Sequence, residues 1–469
     1  MKRSAFASFV LSGLVALSAS AGAAKPKSVV LFIGDGMSTP QRMTANEFSV
    51  KSGRGDLAMN NLPQQATTRT CSASSLVTDS AAAATAIACG EKTYNGAIGV
   101  DPQQKRLESV AEVAHQNGKS VGIVTTVTIN HATPAGFYGH RKDRGEGYGL
   151  GLDLVASGFE YFAGGGLEGH DDKGYPGYKG DVYDLAKKAG YTFVRRDRAA
   201  FDALKPGCGK AWFVATEDAM PDSIDAGAWK GVPTLAELTA KGIELLSSDP
   251  DGFFLMVEGG RIDWAGHAND AATNLREVLA LDDAVKVALA FQEKHPDVLV
   301  VVTGDHETGG MTMGFAGTGY AFYMDRLANQ KCSADRINDY IAKNHPQDFA
   351  ALKPFLTENF GFDFSTRDTR KNPMAMTSAE EDELAKAFAH DLELARKGVK
   401  ENAAYDASKV RHLPTAVKSV FSHKCGIGWT SGAHTALPVL TTAKGPGATR
   451  FAGFIDNTDI SKILKDLVK

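Results

Sequence analysis

Four short apolar runs, each ending in glycine or a polar cluster, limit what this chain can fold into: SVVLFIGDG (28–36), SVGIVTT (120–126), GFFLMVEGG (252–260) and VLVVVTGDH (298–306). Runs of this length without polar alternation read as strands buried on both faces. Between the third and fourth, TNLREVLALDDAVKVALAFQEKH (273–295) has helical periodicity and supplies a crossover. Buried strands alternating with helices predict a three-layer α/β sandwich, with a central, mainly parallel β-sheet flanked by helices. At 469 residues, 43% of them hydrophobic, the chain can fill one large α/β domain or two modest ones.

Two regions interrupt this pattern. Residues around 160–235 are rich in Gly, Asp and aromatics and read as long connections with little regular periodicity. Residues around 320–425 carry more charge and include SAEEDELAKAFAHDLELARKG (378–398), where Ser378 followed by Glu381 fits a capping box. We read 320–425 as a helical insertion into one domain spanning 24–469, with a separately folding second domain as the alternative. The chain has no internal repeats.

The start of the chain has its own logic. Lys2 and Arg3 precede an apolar stretch that ends in Ala21-Gly22-Ala23, the layout of a secretory signal cleaved after Ala23. Ser12, Gly13 and Ser18 break the apolar stretch, which argues against a membrane anchor, and no later segment is built to span a bilayer. Residues 1–23 are therefore expected to direct export to a periplasm or the extracellular space. Loss of the two basic residues takes the formal charge from −4 to −6, and without basic blocks neither nucleic acid nor anionic membrane is expected as a partner. Five cysteines, Cys71, Cys89, Cys208, Cys332 and Cys425, leave at least one thiol without an internal partner.

In an open parallel sheet, ligands bind beyond the carboxyl ends of the strands. Those positions here collect metal-binding groups: Asp35 in GDGMS, His131 and Thr133 in NHATPAG, Glu258, Asp263 and His267 in VEGGRIDWAGH, and Asp305 and His306 in TGDHETGG. His434 in SGAHT adds another near the C-terminus. Taken singly, each has an ordinary structural explanation, such as a turn for Asp35 or a charge pair for Asp263 and His267. Together they suit a polynuclear metal site. Mixed imidazole and carboxylate sets suit zinc, so Asp263, His267 and His434 form one candidate site and Asp35, Asp305 and His306 a second. Asp35, Thr133 and Glu258 offer oxygen only, which suits magnesium.

VTDSAAAATA (77–86) adds a serine, Ser80, at or near the start of an alanine-rich helix. A serine there usually caps, yet the same helix end also favours an incoming anion. The six motifs GDGMS, VTDSAAAATA, NHATPAG, VEGGRIDWAGH, TGDHETGG and SGAHT occur in one order from Asp35 to His434, and in this the chain resembles the alkaline phosphatase family. The resemblance implies metal-dependent hydrolysis of phosphate monoesters through a phosphoserine on Ser80. It also implies two zinc ions and one magnesium ion per subunit on the ligand sets above, with the serine oxygen joining the Asp35 zinc, and it raises the expectation of a homodimer.

The family grips phosphoryl oxygens with an arginine, and spacing favours Arg144 over Arg141. Asp79 is expected to orient groups near the serine. His131 stands where some members have aspartate and Trp264 where others have lysine or histidine, so control of magnesium and phosphate is expected to differ. A phosphodiesterase, sulfatase or mutase on the same fold would alter the nucleophile and the third-metal features. A non-catalytic zinc-binding protein would explain the ligands but not the serine.

Overall fold

The computed structural model describes residues 25–397 and 411–469; the expected leader, 1–23, lies outside them. In chain order the strands are β1 (Ser28–Gly34), β2 (Gln64–Arg69), β3 (Ser120–Thr128), β4 (Tyr161–Gly165), β5 (Thr192–Arg195), β6 (Ala211–Val214), β7 (Phe253–Gly259) and β8 (Val298–Gly304). Four two-residue strands follow, β9 (Glu307–Thr308), β10 (Thr312–Met313), β11 (Ile427–Gly428) and β12 (His434–Thr435), and then β13 (Val439–Lys444) and β14 (Gly453–Asp456). The main sheet has ten strands in the order β14-β2-β13-β8-β1-β7-β3-β4-β6-β5. Its pairings are parallel except those that β13 makes with β2 and β8.

The four apolar runs form β1, β3, β7 and β8, side by side in the middle of the sheet. Successive side chains of a strand point to opposite faces, and both faces here are covered. Along β1, Val30 and Phe32 enter one apolar cluster and Val29, Leu31 and Ile33 the other. The crossover from β7 to β8 contains the helix Ala271–Gln292, as its periodicity predicts. The fold is thus the three-layer α/β sandwich with a mainly parallel sheet.

Two expectations need correction. Residues 160–235 are not merely connections, because they supply β4, β5 and β6 at one edge of the sheet. These strands are only four or five residues long, too short to show a period. Aromatic packing supports them: Trp212 of β6 lies 5.5 Å from Phe193 of β5 and 6.3 Å from Phe162 of β4. The capping box of the helix Ser378–Arg396 is Thr377 with Glu380, one residue earlier than Ser378 with Glu381. Glu381 pairs instead with Lys353 at 2.5 Å, while Glu380 accepts from the Thr377 amide at 2.8 Å.

Within 320–425 the described residues form helices that include Arg336–Asn344, Lys353–Phe360, Ser378–Arg396 and Leu413–Cys425. Their Ile337, Leu356, Leu384 and Val417 join the same apolar cluster as Val30 and Phe32. All five cysteines are unpaired. Among the described residues, no helix is long and apolar enough to cross a membrane.

Candidate active site

Strand register brings the polar strand ends level. Gly34 of β1 pairs with Gly259 of β7 and Gly304 of β8, so Asp35 and Asp305, each following its glycine, lie side by side. Glu258 of β7 sits between Ile33 of β1 and Thr125 of β3. Gly36 turns the chain at φ +74° and donates its amide to Asp305 Oδ1 at 3.0 Å. A Cβ on Gly36 would come within 2.8 Å of the Asp263 backbone, so only glycine allows that approach.

Ligand-type atoms gather in three groups: Asp263, His267 and His434; Asp35, Asp305 and His306; and Asp35, His131 and Glu258. In the first, the two imidazole Nε2 atoms stand 3.1 Å apart, 3.3 and 3.4 Å from the Asp263 carboxylate. In the second, His306 Nε2 is 3.4 Å from Asp35 Oδ1 and 3.3 Å from Asp305 Oδ2. The His306 and His434 rings stack at 3.6 Å, so the first two groups adjoin.

The hydrogen bonds fit metal ions. His267 Nδ1 faces the Gly432 carbonyl at 2.8 Å and His434 Nδ1 faces the Thr78 carbonyl at 2.8 Å. Donation from Nδ1 leaves a lone pair on each Nε2, and two lone pairs at that separation repel unless a cation lies between them. Asp35 Oδ1, Asp305 Oδ2 and Glu258 Oε1 are buried without a hydrogen-bond partner. Burial and neighbouring carboxylates raise Asp35 well above the usual carboxylate range, and burial lifts Asp305 to about 7 and Glu258 to about 8. Burial, reinforced by His434, holds His306 neutral far below its usual range. Buried acids that repel one another beside the neutral His306 match a centre completed by divalent cations.

The third group differs from the sequence expectation in one respect. Thr133 is in place, with Oγ1 3.3 Å from Asp35 Oδ2, but His131 also reaches the group, and its Nδ1 is buried without a partner. Burial and the Arg144 charge lower His131 to about 4, so it stays neutral. Trp264 packs edge-on against His131 with ring centroids 6.0 Å apart, and the Arg261 guanidinium lies 4.9 Å from the Trp264 ring. Thr125, which donates to Glu258 Oε2, is a site residue that sequence reasoning misses; only its register opposite Glu258 reveals it.

Ser80 opens the helix Ser80–Cys89 and does not cap it. Asp79 is the cap, accepting from the Ala82 amide at 3.0 Å. The helix packs closely against the end of the short helix Ala132–Ala135, where a Cβ on Gly136, its C-cap, would lie 2.8 Å from Ala84 Cβ. Ser80 Oγ is buried, 3.2 Å from His306 Nε2. Arg144 reaches Asp79 Oδ2 and His131 Nε2, each at 3.2 Å. Arg141 turns away to Asp153, with 2.8 Å between Nε and Oδ2, and to the Gly149 carbonyl at 3.0 Å.

A buried serine beside converging imidazoles and carboxylates, at the carboxyl edge of a mainly parallel sheet, is an arrangement suited to metal-assisted hydrolysis. Residues 26–149 and 181–469 match the family described as alkaline phosphatase. The chain is 33% identical over 446 residues to alkaline phosphatase 3 of Bacillus subtilis, covering 93% of this chain and 87% of that protein. The cold-active alkaline phosphatase of Shewanella sp. is similar at 30% identity and a TM-score of 0.78, over 94% of this chain and 100% of that one. A variant of the alkaline phosphatase of the Antarctic bacterium TAB5, with aspartate for histidine and magnesium bound in its M3 site, is similar at 27% identity and a TM-score of 0.64, over 95% of this chain and 99% of that one. The chain belongs to the alkaline phosphatase family and is a phosphatase that hydrolyses phosphate monoesters.

Proposed function

We propose that Ser80 is the nucleophile of a two-step hydrolysis and that two zinc ions and one magnesium ion serve the site. The observation that carries this reading is the position of Ser80 Oγ, 3.2 Å from His306 Nε2 and facing the Asp35 and Asp305 set. Asp263, His267 and His434 would hold one zinc, and Asp35, Asp305 and His306 the other. Asp35, Thr133 and Glu258 would hold magnesium, with His131 in the same group. When bound, these cations supply the positive charge that favours ionised Ser80, stabilises the leaving oxygen and activates water.

Ser80 Oγ attacks phosphorus as the ester P–O bond breaks, and the alcohol leaves with a proton. Water then attacks the phosphoserine, the Oγ–P bond breaks, and inorganic phosphate is released with a proton returned to Oγ. The N-terminal end of the helix Ser80–Cys89 favours the anionic phosphoryl group, and Arg144 supplies a planar fork for its oxygens. Asp79 serves both elements, capping the helix and aiming Arg144. Each in-line displacement inverts phosphorus, so the two together retain its configuration. Residues 1–23 are proposed to act as an export signal.

The test compares an aryl phosphate monoester with the matching diester, before chelation, after chelation, and after zinc and magnesium are restored. Monoester preference, loss on chelation, recovery with both metals, and no such activity in Ser80→Ala are the expected outcomes. Diester preference, or monoester turnover that survives chelation, would overturn the proposal.

A further inference from the structure

Thr308 stands between the first two ligand groups and touches both. Its hydroxyl lies 2.5 Å from Asp263 Oδ1 and 3.3 Å from His306 Nδ1. A threonine hydroxyl has one proton to give and lone pairs to accept with. Asp263 accepts only, so the proton goes to Oδ1, and the hydroxyl receives the His306 Nδ1 proton in return. The result is a directed relay from His306 through Thr308 to Asp263. His267 and His434 have their Nδ1 atoms held by backbone carbonyls, whereas His306 depends on this one side chain.

The backbone is shaped around that hydroxyl. Thr308 of β9 pairs with His434 of β12, so the same residue fixes the strand that carries a third ligand. Gln41 holds the Thr308 carbonyl at 2.9 Å. Two glycines make room for the side chain: a Cβ on Gly36 would lie 2.8 Å from Thr308 Oγ1, and one on Gly266 would lie 3.0 Å from its Cβ and Cγ2.

We propose that Thr308 is a positioning residue that couples the two zinc sites, fixing the His306 tautomer and the Asp263 orientation through one hydroxyl. The inference rests on the zinc assignment made above. Groups that orient metal ligands typically affect metal affinity about 10- to 100-fold when removed. Removal of this hydroxyl should therefore weaken both sites together, although it touches no metal.

The experiment is competition between the purified enzyme and a chromogenic zinc chelator, giving two zinc affinities for the parent, Thr308→Val and Thr308→Ser. Valine keeps the methyl packing against Gly266 and removes the hydroxyl; serine keeps the hydroxyl. The expected result is loss of affinity at both sites in Thr308→Val, by about 10- to 100-fold, and parent-like affinities in Thr308→Ser. Thr308→Ala gives the same reading without added bulk if the valine variant fails to fold. Unchanged affinities in the hydroxyl-free variants, or loss at one site alone, would overturn the inference while leaving the zinc assignment standing. A parent that takes up no zinc would overturn the assignment itself, and this inference with it.

Discussion

Arg144 and Arg141 are three positions apart and do different work. Arg141 is tied to Asp153 and Gly149, whereas Arg144 stands over Asp79 and His131 at the mouth of the site. Hydrogen bonds to charged groups contribute about 1.5–3 kcal/mol, so Arg144→Ala should raise the inhibition constant for inorganic phosphate by about 10-fold or more and lower turnover. Arg141→Ala should leave that constant unchanged and lower the melting temperature; the opposite pattern would transfer the phosphate grip to Arg141. Glu277 gives a pH prediction away from the ligands. Burial, with Asp222 nearby, raises this carboxyl to about 8, and it accepts from the Ser223 amide at 2.5 Å. A carboxyl whose folded value lies above its unfolded one favours the folded state at low pH and loses that contribution as pH rises through about 8. Glu277→Gln cannot titrate, so its stability relative to the parent should improve from pH 6 to pH 9 in urea unfolding. A constant difference would contradict the shift.

Among the elements, those with a long uniform pattern are legible in the amino-acid sequence. Central strands β1, β3, β7 and β8 announce themselves as unbroken apolar runs because both their faces are buried. Edge strands β4, β5 and β6 do not, because each is too short to show a period and draws its support from rings on neighbouring elements. The start of the helix Ser378–Arg396 shows how local ambiguity is resolved by tertiary partners. TSAEE contains two capping-box pairs, and the ion pair of Lys424 with Glu380 at 3.0 Å helps hold the earlier one. Loss of an N-cap hydroxyl costs about 1 kcal/mol, so Thr377→Ala should lower unfolding free energy by about that much. Ser378→Ala, at the first helical position, should change it little; equal effects in denaturant titration would reject the assignment.

Across the whole molecule, the ligand-type residues lie from Asp35 to His434 and come together only through the order and register of the sheet. Their identities are legible in the sequence because most of them follow a strand that can be recognised there. Thr125, Thr308 and the carbonyls of Thr78 and Gly432 are not, since a hydroxyl or carbonyl acquires its role only from what the fold places opposite it. His131 shows the same limit: its position beside magnesium-type ligands can be read, but its entry into that group depends on how Asp35 and Glu258 meet. All of these groups frame Ser80, which on the proposed mechanism carries the phosphoryl group between two displacements. The stereochemical course tests this directly, using a phosphate monoester made chiral at phosphorus with oxygen isotopes and followed into an acceptor alcohol. Net retention of configuration is expected; net inversion would mean a single direct displacement and would contradict a phosphoserine on Ser80.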